Sequence, residues 1–177
     1  MEIYRVTKVS PAWLHKAYDY VRTDAFIFGQ DIPINFEYSF PETIDGEYKA
    51  VVLIDEGKPI AGCKITFPKE DIGKIGRVCV ARQFQKQGYG RILIGEAEKW
   101  IIENKVSRIV INSQDRAMKF YEKLGYILVA GVDPGLFEQK MNVDLDSISR
   151  DYVPQKNELG FSCVLVEKII NKEKEWI

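Results

Sequence analysis

A mixed α/β fold, with an antiparallel meander followed by a central parallel strand pair flanked by helices, is predicted by three features of the sequence. Tyr48 to Ile54 and Pro59 to Phe67 are β-branched apolar segments joined by Asp55-Glu56-Gly57-Lys58, the composition of a hairpin turn. A third such segment, Lys74 to Val80, follows another glycine-containing turn and extends the meander. Strand, helix and strand then follow from Lys74 to Ser107, about thirty residues, the size of a right-handed parallel crossover.

The other elements take their places around this centre. Ile3 to Lys8 reads as a strand, and Ser10-Pro11 supplies an N-cap followed by proline at the first helical position. Trp13, Leu14, Ala17, Tyr18, Val21 and Ala25 then recur at the spacing of one buried helical stripe, which should end near Phe28 or Gly29. The stretch through Asp45-Gly46, with Pro33, Asn35 and Pro41, reads as a loop with at most a short helix. Gly88 to Asn104 is the crossover helix, burying Leu93, Ile94, Ala97, Trp100 and Ile101, and Arg108 to Asn112 is the strand it leads into. Asp115 can cap a helix of about ten residues in which Ala117, Phe120, Tyr121 and Leu124 share a face, with Gly125 as the left-handed exit. Tyr126 to Val129 and Phe161 to Ile170 are the last strands. The chain is expected to form a single domain over 1–177, in which 131–157, too long for an ordinary connection, is a lid or an insertion. The charged tail, Asn171 to Ile177, is expected to fray.

Composition narrows the function. The 177 residues are 46% apolar and 12% aromatic, enough for one core that buries roughly 70% of the unfolded surface. With 25 basic and 26 acidic side chains the net charge is −1, which argues against a nucleic-acid partner gripped through a broad basic face. The longest apolar run, Ala50 to Ile54, is far short of the roughly 20 residues of a membrane span. The start, MEIYRVTKVS, lacks a charged-then-apolar signal pattern, so a cytoplasmic location is expected. Cys63, Cys79 and Cys163 lie in separate strand-like segments and read as buried small hydrophobes. No cysteine pair has metal-ligand spacing and His15 is the sole histidine, so no metal site is expected. His15 falls with Lys16, Asp19 and Arg22 on the polar side of its helix and reads as solvated.

The most informative segment runs from Val78 to Arg91, where a glycine-containing loop joins a strand to a helix start. A helix N-terminus carries unpaired amides and partial positive charge, so such a turn can hold a phosphate or diphosphate. Gly88 and Gly90 permit positive φ and close approach of a ligand to the backbone. Between Ile72 and Arg91 there are five basic residues (Lys74, Arg77, Arg82, Lys86 and Arg91) and no acidic ones. A purely structural turn is the other reading of the same residues. The P-loop spacing is absent, and a dinucleotide fingerprint would need a small residue where Leu93 stands.

Written as Gln85-x-x-Gly88-x-Gly90 after a Val-x-Val strand, the segment resembles the acetyl-CoA signature of the GNAT superfamily of N-acetyltransferases. Gln114-Asp115-Arg116-Ala117-Met118-Lys119-Phe120-Tyr121-Glu122-Lys123-Leu124-Gly125-Tyr126 resembles a later helix of that family. The resemblance covers about residues 48 to 130 well and both ends more weakly. Val21-Arg22-Thr23-Asp24-Ala25-Phe26, Gln30-Asp31-Ile32-Pro33 and Glu158-Leu159-Gly160-Phe161-Ser162-Cys163 are similar to the ElaA-like branch. That branch usually has Pro-His where this chain has Ser162-Cys163, a departure that counts against a histidine-based role at this position.

The resemblance implies a mixed sheet whose central parallel strands splay to admit acetyl-CoA, the acetyl donor. It places main-chain atoms of Val78, Cys79 and Val80 on the pantetheine arm. Amides of Gln85, Lys86, Gln87, Gly88, Tyr89 and Gly90 would hold the diphosphate, with Lys86 or Arg91 adding charge, and Gln114 would reach the cofactor from its strand end. It makes Tyr121 the general acid for the departing thiolate, whereas a buried aromatic on the helix face is the alternative role for this side chain. Cys79, in a buried strand, is not expected to be a nucleophile. For the general base, Asp24, Glu37 and Glu158 are candidates, since Ile109-Val110-Ile111 carries no carboxylate. From Asp31 to Glu56 there are seven acidic residues and one lysine, able to attract a cationic amine or simply to be solvated.

The expected activity is transfer of acetyl from acetyl-CoA to a primary amine, a small molecule or a peptide, by direct attack in a ternary complex. A non-catalytic acyl-CoA-binding sensor is the competing reading, and retention of Tyr121 favours the enzyme. Neither nucleic acid nor membrane is an expected partner, and the residues do not decide whether the chain forms a homodimer.

Overall fold

The hairpin expected at Asp55 to Lys58 forms between β2 (Lys49–Asp55) and β3 (Lys58–Lys69), which are antiparallel with Asp55 opposite Lys58. These strands belong to a computed structural model that describes residues 1–33, 37 and 47–171. Most of the acidic loop and the tail 172–177 lie outside the described residues. With β1 (Glu2–Val6), β4 (Ile72–Val80), β5 (Arg108–Gln114), β6 (Ile127–Val129) and β7 (Cys163–Ile169), the strands make a seven-stranded sheet in the order β1-β2-β3-β4-β5-β7-β6. The helices are α1 (Ala12–Arg22), α2 (Tyr89–Ile102) and α3 (Met118–Lys123). The mixed α/β fold is therefore as predicted. Two compact units divide the chain, one of Met1–Thr66 with Gly76–Lys99 and one of Phe67–Ile75 with Trp100–Ile177.

The first unit is built on the α1 stripe. Leu14, Ala17, Tyr18 and Val21 continue into Ala25 and Phe26 and pack with Val6, Ala50, Val52, Ile54, Cys79 and Ala81, as the three- and four-residue spacing requires. Trp13, expected in that stripe, is 50% exposed and instead meets Tyr4 edge-on at 5.4 Å. Its position at the helix start puts it beside the rim of the sheet rather than over the centre. The cap also differs from expectation. Pro11 occupies the N-cap position, and Ser10 Oγ accepts from the Thr7 N–H at 2.9 Å, closing the preceding turn. After Arg22 the chain widens into a π-helical segment, Thr23–Phe28.

One close approach fixes how α1 lies on β3. A Cβ placed on Gly62 would fall 2.5 Å from Cδ1 of Tyr18, which is fully buried. Gly62→Ala is therefore expected to destabilise the protein by about 1–3 kcal/mol through overpacking. Gly95→Ala in α2, where a Cβ meets nothing within 4 Å, should instead stabilise by up to about 1 kcal/mol through helix propensity. Thermal or urea denaturation of the two variants checks both signs.

In the second unit, β4 and β5 run parallel, with a ladder from Ile72 opposite Arg108 to Ile75 opposite Ile111. β7 pairs antiparallel with both β5 and β6. The 131–157 stretch supplies much of this unit's core. Its Val132, Phe137 and Leu145 pack with Ile72, Val110, Val129 and Leu165. It is tied down by Met141 N–H donating to Pro68 O at 2.7 Å, by Lys140 Nζ to Phe67 O at 2.8 Å and by Tyr152 Oη to Cys163 O at 3.0 Å. The helix expected from Asp115 is split into a 3-10 turn, Asp115–Ala117, and the short α3. The tighter first turn rotates Phe120 off the buried face to 36% exposure, whereas Tyr121 remains buried. Among the described residues no helix is long and apolar enough to cross a membrane.

Candidate functional site

The strand-to-helix turn in the first unit begins where β4 ends. Val78 and Val80 are half-buried and Cys79 is buried between them. The Cys79 thiol donates to Gly62 O at 3.4 Å. Burial, reinforced by the neighbouring Cys63, pushes its pKa well up, and burial pushes that of Cys63 up to about 12. Neither is a ready thiolate. Ala81 N–H then donates to Ile60 O at 2.8 Å, and a 3-10 turn, Arg82–Phe84, follows.

Asp24 anchors this turn. Its Oδ2 accepts from the Arg82 N–H at 2.7 Å, and its Oδ1 accepts from Arg82 Nε and Nη2 at 3.2 and 3.0 Å. Partial burial acts to raise the Asp24 pKa, but the backbone bond, the side-chain bonds and the charge of Arg82 outweigh it and hold the pKa below the ordinary value. A carboxylate held in that way is a poor proton acceptor, so Asp24 is better described as the tether of the turn than as a base.

Beyond Arg82 the turn folds its own glutamines inward. Gln85 Nε2 donates to Val80 O at 3.0 Å, and Gln87 Nε2 donates to Gln83 O at 3.1 Å. Lys86 and Gly88 both take left-handed backbone, at φ 62° and 89°. Gly90, expected to need that freedom, is already inside α2. Lys86 is thus a left-handed residue that no glycine marks in the sequence. Among the described residues the N–H groups of Lys86 and Gly88 donate to no turn or loop carbonyl. Lys86, Gln87, Gly88 and Arg91 are exposed, Tyr89 and Gly90 half-buried, and the Tyr89 ring stands edge-on to Phe84 at 6.1 Å. Amides in alternating left-handed geometry at a helix start can hold an anion.

The basic run is divided by its partners. Lys74 pairs with Glu138 at 2.8 Å, Arg77 with Glu37 at 3.3 Å and Arg82 with Asp24 at 3.0 Å. Among the described residues Lys86 and Arg91 form no ion pair, which leaves their charge available at the turn. Sequence composition could not show this partition, because the three carboxylates come from distant segments.

In the second unit, Gln114 ends β5 opposite Cys163, and its Oε1 accepts from Arg116 Nε at 2.6 Å. The Arg116 guanidinium stacks over Phe161 at 4.6 Å. Tyr121 is 6% exposed on α3, with its ring edge-on to Phe120 at 5.1 Å and to Tyr126 at 6.0 Å. Of the remaining base candidates, Glu158 is exposed, and Glu37 is buried with Oε1 accepting from Arg22 Nε at 2.9 Å and Oε2 from Arg77 Nη1 at 3.3 Å. Two guanidiniums on one carboxylate make Glu37 a structural anion rather than a base. His15, read as solvated, is half-buried and tilted against Tyr48 at 5.4 Å, because α1 turns it toward the residue preceding β2.

The fold is one shared with solved acetyltransferases. ElaA of Escherichia coli superposes with a TM-score of 0.70 at 13% identity, over 94% of this chain and 98% of that one. A GNAT family acetyltransferase of Elizabethkingia anophelis with acetyl-CoA bound superposes with a TM-score of 0.61 at 13% identity, over 96% and 97%. YjcF of Bacillus subtilis (strain 168), an uncharacterized N-acetyltransferase, is 30% identical over 107 residues, 60% of this chain and 74% of YjcF. Residues 11–126 match the acetyltransferase (GNAT) family, and the chain belongs to it. It is accordingly an acyltransferase.

Proposed function

We propose that this protein moves an acetyl group from acetyl-CoA to a primary amine, of a small molecule or a peptide, by direct attack of the amine on the thioester in a ternary complex. The observation that carries the reading is the turn after β4. It combines amides at Lys86 and Gly88 that are unengaged among the described residues, left-handed backbone, and two cations, Lys86 and Arg91, at the start of α2. The open space at Gly88, where a Cβ would meet nothing within 4 Å, fits a diphosphate drawn close to the main chain. The acetyl-CoA bound to the Elizabethkingia neighbour supports this choice of donor.

In this scheme the diphosphate lies on the amides of Lys86 to Gly90, the Gln85 N–H being taken by Arg82 O at 3.4 Å, and Lys86 and Arg91 neutralise it. Main-chain groups of Val78, Cys79 and Val80, beyond the last β4–β5 pair at Ile75, bond the amides of the pantetheine arm as an added strand would. Gln114 contributes a polar contact to the cofactor. Tyr121 donates its phenolic proton to the thiolate as it leaves, a task suited to a group with an ordinary pKa near 10. Asp24 and Glu37 are occupied by arginines, so the amine loses its proton to ordered water or to the exposed Glu158.

Thermal unfolding with and without acetyl-CoA tests the donor. At ~100-fold over its dissociation constant a ligand adds about 2.7 kcal/mol of stability, which for a chain this long is a rise of several degrees in Tm. Thiol release across a panel of amines then tests catalysis. No shift at millimolar acetyl-CoA overturns the reading, and a shift with no amine-dependent thiol release leaves only a binding module.

A further inference from the structure

Arg77 lies inside β4 yet has φ 51°, a left-handed backbone that sterics disfavour for any side chain with a Cβ. Such a residue persists where its surroundings over-determine it, and it points to function when it adjoins a site. Here the surroundings are an ion cluster in the first unit. Glu37 has a side chain only 2% exposed. Arg22, itself 4% exposed, seats it by donating Nε to Oε1 at 2.9 Å and Nη2 to the Glu37 carbonyl at 3.4 Å. The Arg22 guanidinium in turn lies 5.3 Å from the ring of the fully buried Tyr18. The second oxygen of Glu37 is thereby aimed at Arg77, whose Nη1 donates to it at 3.3 Å while the rest of the side chain stays 45% exposed.

Burying a carboxylate with two arginines is costly, and replacing such a cluster by apolar groups is often neutral or stabilising. Stability is thus a weak reason for it. Its position gives a stronger one. The β4–β5 ladder ends at Ile75, and Arg77 immediately precedes Val78. A left-handed residue in a strand re-aims the peptide groups that follow it. The far end of the same segment is also pinned, by Gln85 Nε2 on Val80 O at 3.0 Å and by the Ala81 N–H on Ile60 O at 2.8 Å.

We propose that Glu37 and Arg77 form a clamp that holds β4 in its left-handed turn and so aims the main chain of Val78–Val80 at the acyl-CoA arm, making Arg77 a positioning residue. The inference rests on the proposed function, and its test separates the two. Arg77→Ala removes the clamp and keeps a Cβ, so it should weaken CoA binding about tenfold as the turn relaxes toward ordinary strand backbone. Arg77→Gly removes the same charge but adopts the left-handed backbone freely, and should recover most of that loss. Calorimetric titration with CoA reads both variants beside the parent, with Tm of each confirming the fold. If the parent binds CoA and both variants match it, the clamp is overturned alone. Equal losses in the two variants overturn it as well, because they assign Arg77 a direct contact with the ligand. A parent that does not bind CoA overturns the proposed function and the clamp's role together.

Discussion

Tyr121→Phe is expected to lower turnover about 100-fold while leaving the dissociation constant for acetyl-CoA within about twofold. The change deletes one oxygen and keeps the ring, so the edge-on contacts with Phe120 at 5.1 Å and Tyr126 at 6.0 Å survive. The turn proposed to hold the diphosphate lies on a different segment and keeps all its groups. A step that needs the phenolic proton loses its donor, and expulsion of a thiolate is such a step. The comparison is made by thiol release at saturating acetyl-CoA and amine, with binding measured separately. If Tyr121 is instead a packing residue, turnover matches the parent and the general-acid role is withdrawn. Loss of affinity without loss of turnover would have the same consequence, since the side chain would then be a binding group.

Elements with strong local periodicity were legible in the sequence, and elements set by distant partners were not. The α1 stripe, the β2–β3 hairpin and the parallel crossover were predicted within a few residues, because each follows from the spacing of its own apolar side chains. The split of the Asp115 helix has no mark in the sequence, since a 3-10 first turn and a continuous α-helix bury nearly the same residue types. The basic run from Lys74 to Arg91 is plain in the sequence, but its division is not. Glu37, Asp24 and Glu138 reach their partners across 40, 58 and 64 positions of sequence. Left-handed backbone at Arg77 and Lys86 has no residue signature at all, because the usual marker is glycine or asparagine. The sequence therefore named the turn, while only the structure showed which of its charges are spoken for.

Gly88→Val should weaken acetyl-CoA binding about 5- to 150-fold, with a separate cost of backbone strain to the unliganded fold. Two costs combine. A β-branched residue at φ 89° is strained by about 1–2 kcal/mol, and that part falls on the unliganded protein or, if the turn relaxes, on the direction of its amides. The second cost belongs to the ligand. A Cβ at this position meets no protein atom within 4 Å, so overpacking arises only when a diphosphate comes to the main chain, at about 1–3 kcal/mol. Gly62→Ala provides the opposite pattern, because its Cβ collides with Tyr18 whether or not a ligand is present. The two glycines should thus differ in kind, Gly62→Ala lowering Tm at nearly constant affinity and Gly88→Val lowering affinity, with any fall in Tm limited to its backbone strain of about 1–2 kcal/mol. Binding by Gly88→Val that equals the parent's would remove the diphosphate from this turn, and with it the reason for a left-handed main chain flanked by Lys86 and Arg91, which form no ion pair among the described residues.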